Sequence, residues 1–205
     1  MSSFSGLGAS FWRNQLRQWH WISSAVCLMA MFLFSVTGYT LNHATDIESK
    51  PKIDTKEVTL TAAQLGALDA AQDKADLPVP AVHMILEASG IDLEGYEAEV
   101  SETEIYIPMP KPGVDSWVSI ERDTGLMTYE RTDRGVIAIL NDLHKGRNSG
   151  PAWSWFIDII ALFCVIFCLT GFGLLWVYAK SRAITWPLIG FGVLAPFILF
   201  MVFVH

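Results

Sequence analysis

Two histidines stand at the edges of long apolar runs. His43 closes TGYTLNHA just after the first run, and His144 sits in LNDLHKGRNSG just before the second. The chain leaves an apolar phase at one and re-enters it at the other, so both belong at one lipid–water boundary although about 100 residues separate them. Neutral imidazole is a common axial ligand of haem iron. A facing pair at this boundary would hold haem b. Gly38, five residues before His43, would let a macrocycle approach the backbone. Asn42 can orient a propionate or an imidazole N–H. Lys145 and Arg147 can pair with propionates as cations pair with carboxylates; the alternative for these two is anchoring at the interface. For His144 alone the alternative is a helix C-terminus, where the dipole favours histidine. The combination with His43 puts ligation ahead.

A third histidine, His20, stands at the opposite end of the first run. Along a helix it lies ~34 Å from His43, so the two cannot share one haem. His20 could ligate a second haem on the inner side, completed by His20 of a homodimer mate, by a methionine such as Met29, or by another protein. The other reading is an interfacial histidine flanked by Trp19 and Trp21. His83 reads as a surface or packing residue. His205 lies on the outer side, and Asp158 can pair with Lys145 or Arg147 or hold a ligand imidazole. No HExxH, Gly-x-Ser-x-Gly or P-loop occurs. Catalytic residues are therefore not assigned, and redox chemistry would belong to a cofactor.

The elements that position these residues are membrane spans. With 52% hydrophobic and only 17% charged residues, the composition is that of a membrane protein. Trp21 to Leu41 carries no charge, Trp155 to Tyr178 carries only Asp158, and Ala183 to Val204 carries none. At ~1.5 Å per residue the first covers roughly 30 Å, one hydrocarbon core. It is too long for a cleavable signal and lacks a small-residue cleavage site. The expected layout is a cytoplasmic 1–20, spans at 21–41, 153–179 and 183–205, a short cytoplasmic loop at 180–182, and an outer domain over 42–152. Arg13, Arg17, Lys180 and Arg182 are the only basic residues outside 42–152, and by the positive-inside rule they mark the cytoplasmic side. The outer region holds 10 basic and 20 acidic residues, which argues against nucleic acid as a partner. Cys27, Cys164 and Cys168 all fall in spans, where packing is the favoured role. Thr170-Gly171 in the second span echoes Thr37-Gly38 in the first; close helix packing is the favoured reading, clearance for a haem the sharper one.

The outer region reads as α+β. Residues 44–58 are polar and read as a linker. Helices are expected over Thr61 to Lys74 and over Ala81 to Ala88, the latter ended by Gly90. Alternating runs at Tyr96 to Ser101, Glu104 to Met109, Ser116 to Glu121 and Leu126 to Arg131 predict strands, the last two joined by a turn at Arg122-Asp123-Thr124-Gly125. Thr132 or Asp133 would cap a final helix running to His144, with Ile137, Leu140 and His144 on one face.

Arg17 and His20 before span one, Thr37, Gly38, Leu41, Asn42 and His43 at its end, then Leu140, Leu143, His144, Gly146, Trp153 and Trp155 form an ordered pattern. Together with the hairpin WVSIERDTGLMTYER, it resembles the PepSY-associated transmembrane (PepSY_TM) proteins of bacteria. The resemblance implies a bacterial inner-membrane protein: three transmembrane helices with an inserted, PepSY-like α+β domain in the periplasm. Some larger relatives are haem-bearing reductases of iron–siderophore complexes, and others work with periplasmic flavoproteins. This chain is shorter, with three apparent spans rather than four and one small outer domain. The expected function is a haem-b protein, possessing no catalytic residues of its own, that passes electrons to a periplasmic flavoprotein or ferric-iron complex. The alternative is a non-catalytic adaptor or assembly subunit whose PepSY-like domain binds a periplasmic partner.

Overall fold

The computed structural model describes residues 3–47, 50–179 and 182–204. Lys180 and His205, read above as a loop cation and an outer terminus, lie outside them. The chain divides into two compact units, 1–33 with 155–205, and 34–154.

The first unit is helical. It contains most of α1 (Ser3–Asn42), nearly all of α5 (Gly150–Tyr178), and α6 (Thr185–Phe203). All three are long and apolar enough to cross a membrane. α5 and α6 bury none of their residues inside the protein, yet they are apolar around their whole circumference. A helix of that kind is stable only where the surroundings are themselves apolar, because its backbone groups are paired internally and its side chains have nothing to gain from water. The chain is thus a multi-pass membrane protein, with the bilayer as its solvent. α1 starts well before the charge-free run, since the stretch around Arg13, Asn14, Gln15 and Arg17 contains no helix breaker; a helix can extend beyond the hydrocarbon that its middle crosses.

The second unit is built on a six-stranded antiparallel sheet of order β1-β6-β5-β4-β3-β2. The strands are β1 (Lys52–Thr59), β2 (Ala75–Asp76), β3 (Glu97–Val100), β4 (Glu104–Pro108), β5 (Val114–Glu121) and β6 (Leu126–Asp133). Ile105, Ile107, Val118, Ile120 and Met127 alternate onto one face and are buried with Leu68 of α2 (Ala62–Leu68) and Ile85 of α3 (Val79–Ser89). Three membrane helices with this α+β domain between them match the expected fold class.

Several local expectations need correction. The segment read as a linker contains β1, paired with β6 from Lys52↔Asp133 to Thr59↔Leu126. As the outermost strand it is exposed at nearly every position, so it shows no apolar alternation. Helix α2 is shorter than expected. Thr61 caps it, with a reciprocal bond from its own N–H to Gln64 Oε1 at 2.8 Å, but it ends at Leu68. Pairing then overrides propensity: Lys74 N–H bonds Ala98 O at 2.8 Å, and β2 pairs with β3. Helix α3 begins before Ala81 because Pro80 lies in its first turn, where no N–H is needed. Thr132 and Asp133 do not cap the last helix, α4 (Val136–Lys145), but finish β6; Gly135, at φ 82°, takes the cap position, and Asp133 accepts a bond from Gly135 N–H at 2.9 Å.

Polar residues on α4 position it. Asp142 is buried, accepting from Gly113 N–H at 2.9 Å and from Arg134 at 2.8 Å. Asn141 accepts from Thr40 of α1 at 3.0 Å, and the Leu143 carbonyl accepts from the Trp153 indole at 2.9 Å. Buried polar groups satisfied in this way fix one orientation, because any other leaves them unpaired. The following residue, His144, is carried with them.

Candidate functional site

In the helical unit, His20 of α1 docks on α5. Its Nδ1 lies 3.2 Å from the Phe167 carbonyl oxygen and 3.1 Å from Thr170 Oγ1. A carbonyl can only accept, so Nδ1 carries the hydrogen. The Thr170 hydroxyl donates in turn to Ile166 O at 2.7 Å, leaving its oxygen free to accept from the imidazole. The Phe167 ring stacks on His20 with centroids 4.6 Å apart and planes 16° from parallel. Gly171 completes the seat: a Cβ there would stand 3.1 Å from His20 Cε1.

The second unit contains the same arrangement built from different elements. His144 of α4 docks on the last turns of α1. Its Nδ1 lies 2.7 Å from Thr37 Oγ1, and the Thr37 hydroxyl is 3.2 Å from Phe34 O. With the hydroxyl hydrogen directed to that carbonyl, Thr37 accepts from Nδ1–H. Phe34 packs on the imidazole at 5.1 Å, and a Cβ at Gly38 would stand 3.3 Å from His144 Cε1. Both seats therefore have the sequence Phe-x-x-Thr-Gly, at 34–38 and 167–171. On a helix this spacing puts the aromatic ring, the hydroxyl and the gap left by glycine on one face.

The hydrogen-bond partners decide the tautomer. His20 and His144 hold the proton on Nδ1, and so does His43, whose Nδ1 donates to Tyr39 O at 3.0 Å. In the neutral form of each ring, Nε2 then carries the lone pair, and no described hydrogen bond occupies it. Metal-binding histidines are held in this way, one ring nitrogen fixed by a hydrogen bond and the other presented to the ion.

The other expected site residues are placed as follows. His43 stacks on Tyr39 at 4.3 Å, while His144 lies on the Phe34–Thr37–Gly38 face. Five helical residues turn the chain by about 140° from Gly38, so the two imidazoles occupy different sides of the end of α1. No contact between them is among the described ones. Asn42 is exposed and has no described bond to either. Asn141, which sequence reasoning passed over, makes the polar contact to α1 instead. Lys145 and Arg147 line a cavity of about 500 Å³ that includes neither histidine. His83 is exposed on α3, Asp158 is exposed on α5, and Met29 points outward at 67% exposure. Beside His20, a groove of about 580 Å³ is lined by Phe167, Gly171, Phe172, Leu175 and Tyr178. Among the described residues no group of three or more His, Cys, Asp or Glu could hold a bare metal ion. Phe34, Thr37, Phe167 and Thr170 were missed as site residues, although the repeated Phe-x-x-Thr-Gly was legible.

The PepSY_TM-like family model matches residues 11–205, which covers both seats and the whole sheet domain. The chain belongs to the PepSY_TM-like family. No curated protein and no solved structure matches it. Membership in the PepSY_TM-like family agrees with the membrane helices and the inserted domain. It assigns no ligand to the histidines, whose chemistry has to be argued from their surroundings.

Proposed function

We propose that this PepSY_TM-like protein is a haem-b-binding electron-transfer protein of the bacterial inner membrane, with a periplasmic flavoprotein or ferric-iron complex as acceptor. The observation that carries this reading is the duplicated seat. Two imidazoles, His20 and His144, are each fixed through Nδ1 by a threonine, flanked by a phenylalanine and set against a glycine, with Nε2 free. The residues fit the group: an orienting hydrogen bond, a glycine that makes room for each imidazole and, beside His20, an apolar groove. His43 is the candidate for the second outer ligand; because it stands on another side of the end of α1, its pairing with His144 on one iron would require that segment to rearrange on binding. When bound, haem would supply one-electron transfer. The protein's own residues orient the ligands and, beside His20, keep the surroundings apolar.

A visible spectrum of the detergent-purified protein from haem-replete cells tests the reading. Sharp reduced α and Soret bands are expected, unchanged by His83→Ala. Their absence would leave the adaptor reading, in which the PepSY-like domain only binds a partner.

The four basic residues outside 42–152 support an orientation with the N-terminus and the loop before α6 in the cytoplasm and the sheet domain in the periplasm. A cysteine placed at Ser181 is therefore expected to resist a membrane-impermeant thiol reagent in intact cells. Rapid modification there would reverse the topology.

A further inference from the structure

The cavity that Lys145 and Arg147 line is also lined by Lys50 and Arg134. Four of the ten basic residues of 42–152 thus converge on one cavity, in a region with twice as many acids as bases. Arg134 is engaged by Asp115 at 3.1 Å and Asp142 at 2.8 Å. Lys50, Lys145 and Arg147 form no ion pair with a described residue. Three like charges gathered at one mouth repel each other unless an anion lies between them. Asp142, paired with Arg134, and Asn141 also line it, and most of the remaining lining is apolar, including Leu41, Ile47, Val136 and Ile137. Leu41 belongs to the last turn of α1, so the cavity lies beside the end of the apolar helix Gly8–Asn42, which is long enough to cross a membrane.

We infer that this cavity binds the phosphate headgroup of an anionic phospholipid, with Lys145, Arg147 and Lys50 on the phosphate and an acyl chain along Leu41 and Ile47. Cations paired with apolar surface at the end of a span suit a lipid better than a free anion, which would gain nothing from the apolar half. The inference does not depend on haem at the histidine seats.

The full-length protein, exchanged into nanodiscs and then extracted in mild detergent, is assayed for co-purifying lipid by native mass spectrometry. Phosphatidylglycerol is expected to be retained in preference to phosphatidylcholine. In K145Q/R147Q the preference should fall by roughly thirtyfold, about fivefold for each cation near the surface. K52Q/K74Q, which removes the same charge from exposed positions elsewhere, should leave it intact. Both substituted positions are exposed, so folding is not at issue. Equal retention of the two lipids by the wild type, or an unchanged preference in K145Q/R147Q, overturns the assignment. Displacement of phosphatidylglycerol by millimolar inorganic phosphate would make the ligand a free anion and also overturn it. So would loss of a haem spectrum in K145Q/R147Q with lipid preference unchanged, which would return these cations to propionates.

Discussion

Replacing His20 by alanine is expected to lower the haem-to-chain ratio while leaving a low-spin spectrum from the outer level; His144→Ala is expected to do the reverse. The loss in His20→Ala distinguishes two inner arrangements. It is one half if a chain binds an inner haem alone, and one third if two chains share one through their His20 residues. The stakes are mechanistic. A haem at the His144 level alone is separated from the cytoplasm by ~30 Å of hydrocarbon and would have to take electrons from quinol or a partner on the outer side. An additional haem at His20 would give electrons a station on the inner side. An unchanged ratio in His20→Ala would leave His20 as an interfacial anchor and confine the protein to outer-leaflet chemistry.

The second large effect concerns the threonines. Removing the group that orients a ligand histidine typically costs ten- to hundredfold in affinity for the bound metal. At the outer seat Thr37 Oγ1 is the described partner of His144 Nδ1, whereas at the inner seat His20 Nδ1 also has the Phe167 carbonyl. Thr37→Val should therefore weaken haem retention at the outer level by about ten- to hundredfold, and Thr170→Val should weaken the inner level less. Serine at either position retains the hydroxyl and should restore binding. Ring-nitrogen chemical shifts of ¹⁵N-histidine-labelled protein give a second readout, since the Nδ1–H tautomer should become mixed in Thr37→Val but not in Thr37→Ser. Equal affinities and unchanged tautomers in all four variants would remove the threonines from the site.

The spans were legible because a bilayer imposes a simple pattern: some twenty residues without charge. The strands β4 to β6 were legible because one face is buried and the other is not, so Ile105, Ile107, Val118 and Ile120 alternate with polar neighbours. β1 lacked that signal because it has no buried face to mark. The end of α2 was set by pairing at Lys74 to Asp76, a long-range effect that local propensity does not carry. At the site, the histidines and the glycines were legible as residue types, and the Thr-Gly echo between spans was visible. What the sequence could not supply was the docking partner of each imidazole. Placing His43 and His144 at one boundary says nothing of the helical face each occupies, and an offset of five residues is enough to turn His43 from the side that receives His144. The threonines become functional candidates only when the proton on Nδ1 can be traced through them to a backbone carbonyl.

The two ends of the sheet have a bearing on how the protein behaves when many copies are crowded on one membrane. An open strand edge invites another chain to add to it. Here one edge is β1, whose Lys52, Asp54, Lys56 and Glu57 set charges of both signs along an exposed strand, and the other is β2, only two residues long. A neighbour approaching the first edge would have to strip water from those charges, and at the second it would find too few backbone groups to hold. Stacking of neighbouring domains edge to edge into fibrils is therefore disfavoured at both ends of the sheet, even at high surface density.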